Sequence, residues 1–171
     1  FIDSMSIRKQ IIYDRAKGTY VGYVNTGTAV LQDVEIAATE ALVFLLVGLK
    51  EVWKFPIAYF LVDHVSTNVQ IQLVRMALSL CATSGLGVWS ITCDGATANI
   101  DMMSKLGCKF GYTFDDIIPV FKHPTETYDV HVIFDVCHMA KLARNALGDV
   151  KEFHNDNAHI KWEFFTKLFD L

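Results

Sequence analysis

No apolar run in this chain approaches the ~18 residues that a membrane-crossing helix needs. The longest candidate, Ala41 to Leu49, is about half that length and has a glycine near its end. The sequence also lacks a C-x-x-C pair. Its four cysteines, Cys81, Cys93, Cys108 and Cys137, are too few in 171 residues for a disulfide framework and fit a reducing compartment. No second Cys/His pair stands at zinc spacing beside Cys137-His138, so a zinc site is not expected. An excess of positive charge is missing too. With a net charge of −4, this segment by itself is expected to hold a polyanion poorly. The stretch Asp94-Gly95-Ala96-Thr97-Ala98-Asn99 lacks the G-x-x-x-x-G-K pattern, which excludes a phosphate-binding P-loop. Phe1 opens inside an apolar stretch with no charged leader, so no signal peptide is expected and the natural N-terminus is expected upstream. No internal repeat or low-complexity segment occurs.

What is present is a globular composition, 52% apolar and 20% charged, in a chain of a length suited to one compact domain. Alternation predicts a first strand in residues 1–13, with Phe1, Asp3, Met5 and Ile7 on one face. A turn at Arg15 to Gly18 leads to a strand over Thr19 to Val24. Residues 28–39 read as a loop. Glu40 to Leu49 and Ile57 to Val62 read as a hairpin, with Pro56 opening the second strand. Ser66-Thr67-Asn68 offers an N-cap for a helix striped by Val69, Leu73, Met76 and Leu80 and ending at Gly85. A short strand, Val88 to Cys93, and a helix, Ala98 to Leu106 with Gly107 as its stop, come next. Residues 108–129 read as irregular, Val130 to Phe134 as a strand and Cys137 to Leu147 as a helix ended by Gly148. A polar stretch, 149–159, precedes an aromatic amphipathic helix over Ile160 to Leu171. Strands first, then helix and strand in alternation, predict an α/β fold: an antiparallel meander followed by parallel β-α-β units, with helices on both faces.

Two aspartates could carry chemistry. Asp3 is a charge in an apolar strand, and Asp94 ends the strand after the first long helix. If those strands lie side by side, the carboxylates meet and a hard divalent cation such as Mg²⁺ relieves their repulsion. Such an ion can activate water or a hydroxyl for attack at a phosphodiester. The plainer reading is a strand-ending turn at Asp94-Gly95 and an Asp3 that faces solvent. A third feature is Asp135 ending the last strand, with His138 in the first turn of the next helix and Lys141 and Asn145 on the same helical face. Arg144 lies on the same helix. His138 could support a metal site by hydrogen bonding; alternatively, the segment is a capped helix with solvated basic residues.

Several strings then occur in one order: Asp3-Ser4-Met5-Ser6-Ile7, Glu40-Ala41-Leu42-Val43-Phe44, Trp53 to Phe60, Thr92-Cys93-Asp94-Gly95 with Asn99, Phe121-Lys122-His123-Pro124, and Asp135 to Asn145. Across nearly the whole chain, this series resembles the ribonuclease-H-like domain of P-element-type DNA transposases and their THAP-domain relatives. The resemblance implies a partial catalytic core over residues 1–148 and the start of a GTP-binding-type insertion over 149–171. It implies that Asp3 and Asp94 are the first two acids of a D-D-E triad that binds Mg²⁺ or Mn²⁺ for DNA strand cleavage and transfer. Asp135, His138, Lys141, Arg144 and Asn145 then belong to a supporting D-x-x-H signature. The third acid has no counterpart, and Ser4 and Asn25 stand where relatives often carry acids. Transposon-end DNA, GTP, self-association and a nuclear location follow from the resemblance as expectations for a longer protein. The alternatives are a non-catalytic or domesticated interaction protein, and a small nuclease complete in itself. The latter would need its further acid from Glu152 or Glu163.

Overall fold

The computed structural model describes residues 1–27, 35–155 and 157–170. The expected loop over 28–39 therefore lies partly outside the described residues, as does Leu171 at the end of the expected last helix. The described residues divide into two compact units, Phe1–Ile133 and Phe134–Leu171.

In the first unit, β1 (Ile2–Ser6) pairs antiparallel with β4 (Glu40–Val47), which pairs antiparallel with β5 (Lys54–Val62). Between them in sequence, β2 (Ile12–Asp14) and β3 (Thr19–Val21) form a small hairpin, closed by edge-to-face rings of Tyr13 and Tyr20. The expected β4–β5 hairpin is present, but β5 begins at Lys54 and Pro56 lies within it. Proline is tolerated there because β5 is the outer strand of its sheet and the register slips by a bulge between Phe44 and Leu45. Gly48 is required at the turn: a Cβ there would come within 2.4 Å of the Trp53 ring.

The helix α1 (Thr67–Thr83) starts where the cap signal put it, with the Ser66 hydroxyl accepting from the Val69 N–H. Its buried stripe is Leu73, Val74, Leu78 and Cys81. The expected stripe is corrected by part of a turn: Leu73 is shared, whereas Leu80 is exposed. Strand β6 (Ser90–Cys93) and helix α2 (Thr97–Leu106) follow, and Gly107 ends α2 with φ 131°. A hydrogen bond from Thr67 Oγ1 to Asp101 Oδ2, 2.8 Å, ties α1 to α2.

The expected irregular stretch 108–129 contains one turn of 3-10 helix (Phe114–Asp116) and strand β7 (Val120–Lys122). At three residues β7 is too short to leave a periodic signal, and its pairing with β8 (Asp129–Phe134) makes it a strand. The second sheet has the order β6-β8-β7. Ile91, Cys93, Phe121, Val130 and Val132 alternate inward from it, while Leu42, Phe44, Phe60 and Val62 do so from the first sheet. With α1 and α2 this completes a mixed α/β architecture. The sheets remain open.

The second unit holds α3 (Val136–Val150), a hairpin of β9 (Glu152–Asn155) and β10 (Ala158–Lys161), and α4 (Glu163–Phe169). Helix α3 runs through Gly148 and is closed by Lys151 in the left-handed region at φ 68°. The hairpin corrects one expectation: the last helix begins at Glu163, because Ile160 pairs across the hairpin with Phe153. The polar stretch 149–159 holds β9 and the start of β10. Asn157 stands in the turn between the strands.

Candidate active site

Asp3 sits on β1 opposite Val43 of β4. Because Ile2 takes the inward face, the period of two turns Asp3 and Met5 to the outer one, and both are exposed. The Asp3 carboxylate accepts from the Ser4 N–H at 2.9 Å. The charge in an apolar strand thus carries no burial cost.

Asp94 follows β6 and is half-buried. Its Oδ1 accepts from the Ala96 N–H at 3.0 Å and from Asn99 Nδ2 at 2.6 Å. The next helix starts at Thr97 with no side-chain cap, so the Asp94 carboxylate is fixed by the turn that enters α2. Oδ2 has no hydrogen-bond partner among the described residues. Asn99 is a positioning residue that the sequence placed in a string but gave no role. Its signal is an amide in the first turn of a helix, five residues after a strand-ending acid.

The strands bearing the two acids, β1 and β6, lie against each other. Among the described residues no ladder joins them, and they remain in separate sheets. Beside Asp94, burial and the neighbouring carboxylate push the Cys93 thiol up to about 12. That sulfur is an inert core group rather than a nucleophile.

The other expected site residues belong to the second unit. Asp135 is the N-cap of α3, accepting from the Cys137 N–H at 2.8 Å, and its Oδ2 is 3.1 Å from His138 Nδ1. The histidine bond, then the backbone N–H, hold the Asp135 carboxyl below its ordinary value. Arg144 donates to the side-chain oxygen of Asn145 at 2.9 and 3.2 Å. Lys141 is exposed. Asp135 and His138 are therefore brought together; Arg144 and Asn145 form a separate pair further along α3.

The sequence matches two family models. "TNP-like, RNase H N-terminal domain" covers residues 1–107, and "TNP-like, GTP-binding insertion domain" covers residues 137–171. The second begins just inside the second compact unit and takes in all but the first residue of α3. Human DNA transposase THAP9 is 27% identical over 172 residues, a match that covers 99% of this chain and 19% of that protein. Among solved structures, the Drosophila P element transposase strand transfer complex superposes with a TM-score of 0.73 at 18% identity. That match covers 99% of this chain and 33% of the other. No helix among the described residues is long and apolar enough to cross a membrane. With the first family model spanning more than half of its residues, the chain belongs to the TNP-like, P-element-type transposases.

Proposed function

We propose that this chain contributes two acids, Asp3 and Asp94, to a metal-dependent centre for DNA strand cleavage and transfer in a longer transposase. The observation that carries the reading is the adjacency of β1 and β6, with an acid on one and an oriented acid at the end of the other. Mg²⁺ or Mn²⁺ fits the donor set: two carboxylates supply the hard oxygens these ions prefer, and the open oxygen of Asp94 leaves one for coordination. Bound there, such an ion would lower the pKa of an attacking water or hydroxyl and offset charge on the phosphate. The chain's own part is to hold the carboxylates oriented: the Asn99 amide and the Ala96 N–H fix Asp94, and the Ser4 N–H fixes Asp3. Asp135, His138, Lys141, Arg144 and Asn145 serve as supporting residues. Transposon-end DNA as substrate, GTP at the insertion, self-association and a nuclear location belong to the same reading. The transposase matches support DNA as substrate and a nuclear location, and the GTP-binding insertion domain supports GTP.

Mn²⁺ broadening of backbone NMR signals tests the site in this chain. Signals around Asp3 and Asp94 should broaden first, at weak affinity, and Asp94→Asn should remove the effect at both positions. Broadening that ignores Asp94→Asn would sink the two-acid site and favour a non-catalytic interaction protein. By itself this polypeptide is expected to cut no DNA; Mg²⁺-dependent nicking lost in Asp94→Ala would overturn that expectation.

A further inference from the structure

We propose that the β9–β10 hairpin is a binding site for a divalent transition-metal cation of the Zn²⁺ class, held by Glu152, His154 and His159. The pleat creates it. In an antiparallel pair, residues two apart share a face, and the register sets Glu152 opposite Lys161 and His154 opposite His159. Both imidazoles and the carboxylate therefore project from one face, while Phe153 and Ile160 share the other.

One ligand atom from each of the three lies within 4.8 Å of the other two. His159 Nδ1 is 2.9 Å and His154 Nε2 3.8 Å from the Glu152 carboxylate oxygens. The imidazole rings meet edge to face with centroids 4.7 Å apart. Metal–ligand bonds of ~2.0–2.1 Å in a tetrahedron require donors about 3.3 Å apart, so small rotations of exposed side chains would close the set. Two imidazole nitrogens and one carboxylate suit Zn²⁺, Cu²⁺ or Ni²⁺ better than Mg²⁺. This separates the site chemically from the two-aspartate centre proposed for the first unit. Three protein ligands leave at least one position for water or a group from a partner. Lys161 Nζ, 3.7 Å from Glu152 Oε1, is the cation that a metal would displace. Sequence spacing does not reveal it, because zinc spacing is defined on Cys/His pairs near in sequence and here the ligands meet only across a turn.

Binding to the folded hairpin alone would stabilise it by mass action, making the ion a clip between the two strands. The test titrates ZnCl₂ into the 171-residue chain and follows the histidine ring signals by ¹H–¹⁵N NMR, with affinity from competition with a chelator. At one equivalent, the His154 and His159 signals should shift together while those of His64, His123, His131 and His138 stay fixed. Glu152→Gln and His159→Gln should each weaken binding at least about tenfold. Unmoved His154 and His159 signals would overturn the proposal. So would equal shifts of all exposed histidines, or undiminished affinity in the His154→Gln/His159→Gln double variant. If a variant unfolds the hairpin by circular dichroism, the ring signals of the unsubstituted chain decide alone.

Discussion

Every described buried apolar side chain but one lies in the unit Phe1–Ile133; in Phe134–Leu171 only Leu147 is buried. The first unit draws its stability from apolar surface removed from water, with Leu73, Val74, Met102, Met103 and Val130 essentially inaccessible. The second relies on directional contacts. These are the Asp135 cap, the Glu152–His159 bond and the Trp162 ring, which lies beside Gly148 with Lys151 Nζ 5.8 Å from its centroid. It also exposes Ile160, Phe164, Phe165, Leu168 and Phe169, an apolar surface unusual for a unit standing in water. One chain thus contains a packed core and a segment whose order depends on local polar chemistry.

The sharpest way to break this comparison is to truncate one side chain in each unit. Met103→Ala should cost about 2–5 kcal/mol, because a fully buried thioether leaves a cavity. Leu142→Ala, at a site 47% exposed, should stay within about 0.5 kcal/mol. Urea denaturation of both variants checks this, and equal losses would erase the distinction.

A smaller effect is expected at His123, one of the polar side chains buried in the first unit. Its Nδ1 accepts from the Thr125 and Glu126 N–H groups at 3.2 and 3.1 Å, which assigns the proton to Nε2. His123→Ala should cost about 1–3 kcal/mol by removing a buried ring packed beside Tyr128. His123→Asn, which keeps an acceptor, should recover part of it in the same assay.

Thiol labelling sharpens the contrast without mutation. Cys81, Cys93 and Cys108 are buried in the first unit, and burial pushes the Cys108 thiol up to about 11; Cys137 is exposed in the second. One thiol per chain should react rapidly with a disulfide reagent under native conditions, and all four after unfolding. Rapid reaction of more than one would mean that the core opens.

The smallest effect is pH dependence. Asp135 and Glu152 both have lowered carboxyl pKa values, mainly through His138 and His159 respectively. A carboxyl depressed in the folded state contributes stability above its unfolded value and loses it as pH falls through its folded value. On acidification below the ordinary carboxylate range, amide protection in α3 and the β9–β10 hairpin should fall before that of the core strands. Asp135→Asn should flatten the response in α3. Simultaneous loss in both units would contradict the separation.

Legibility followed the source of order. Ser66 and Gly107 marked helix ends correctly because caps and stops are local chemistry. The strands of the β4–β5 hairpin were readable because their apolar runs are long. Strand β7 and the β9–β10 hairpin were missed because three or four residues carry no period, and pairing supplies the hydrogen bonds. Of the candidate site, the residue types Asp3, Asp94, Asp135 and His138 could be picked from the sequence. The Asn99 bond to Asp94 could not, since it depends on the turn into α2.

By itself the sequence determined the α/β class, the Ser66 cap and Gly107 stop, and the family resemblance, and it named the candidate acids. Composition, caps and motif order are properties of neighbouring residues. Tertiary structure decided which face of β1 carries Asp3, that β1 and β6 lie together, and that His154 meets His159 over Glu152. Register and strand adjacency arise from contacts between distant parts of the chain, and one residue of slip would turn each of those side chains to the opposite face.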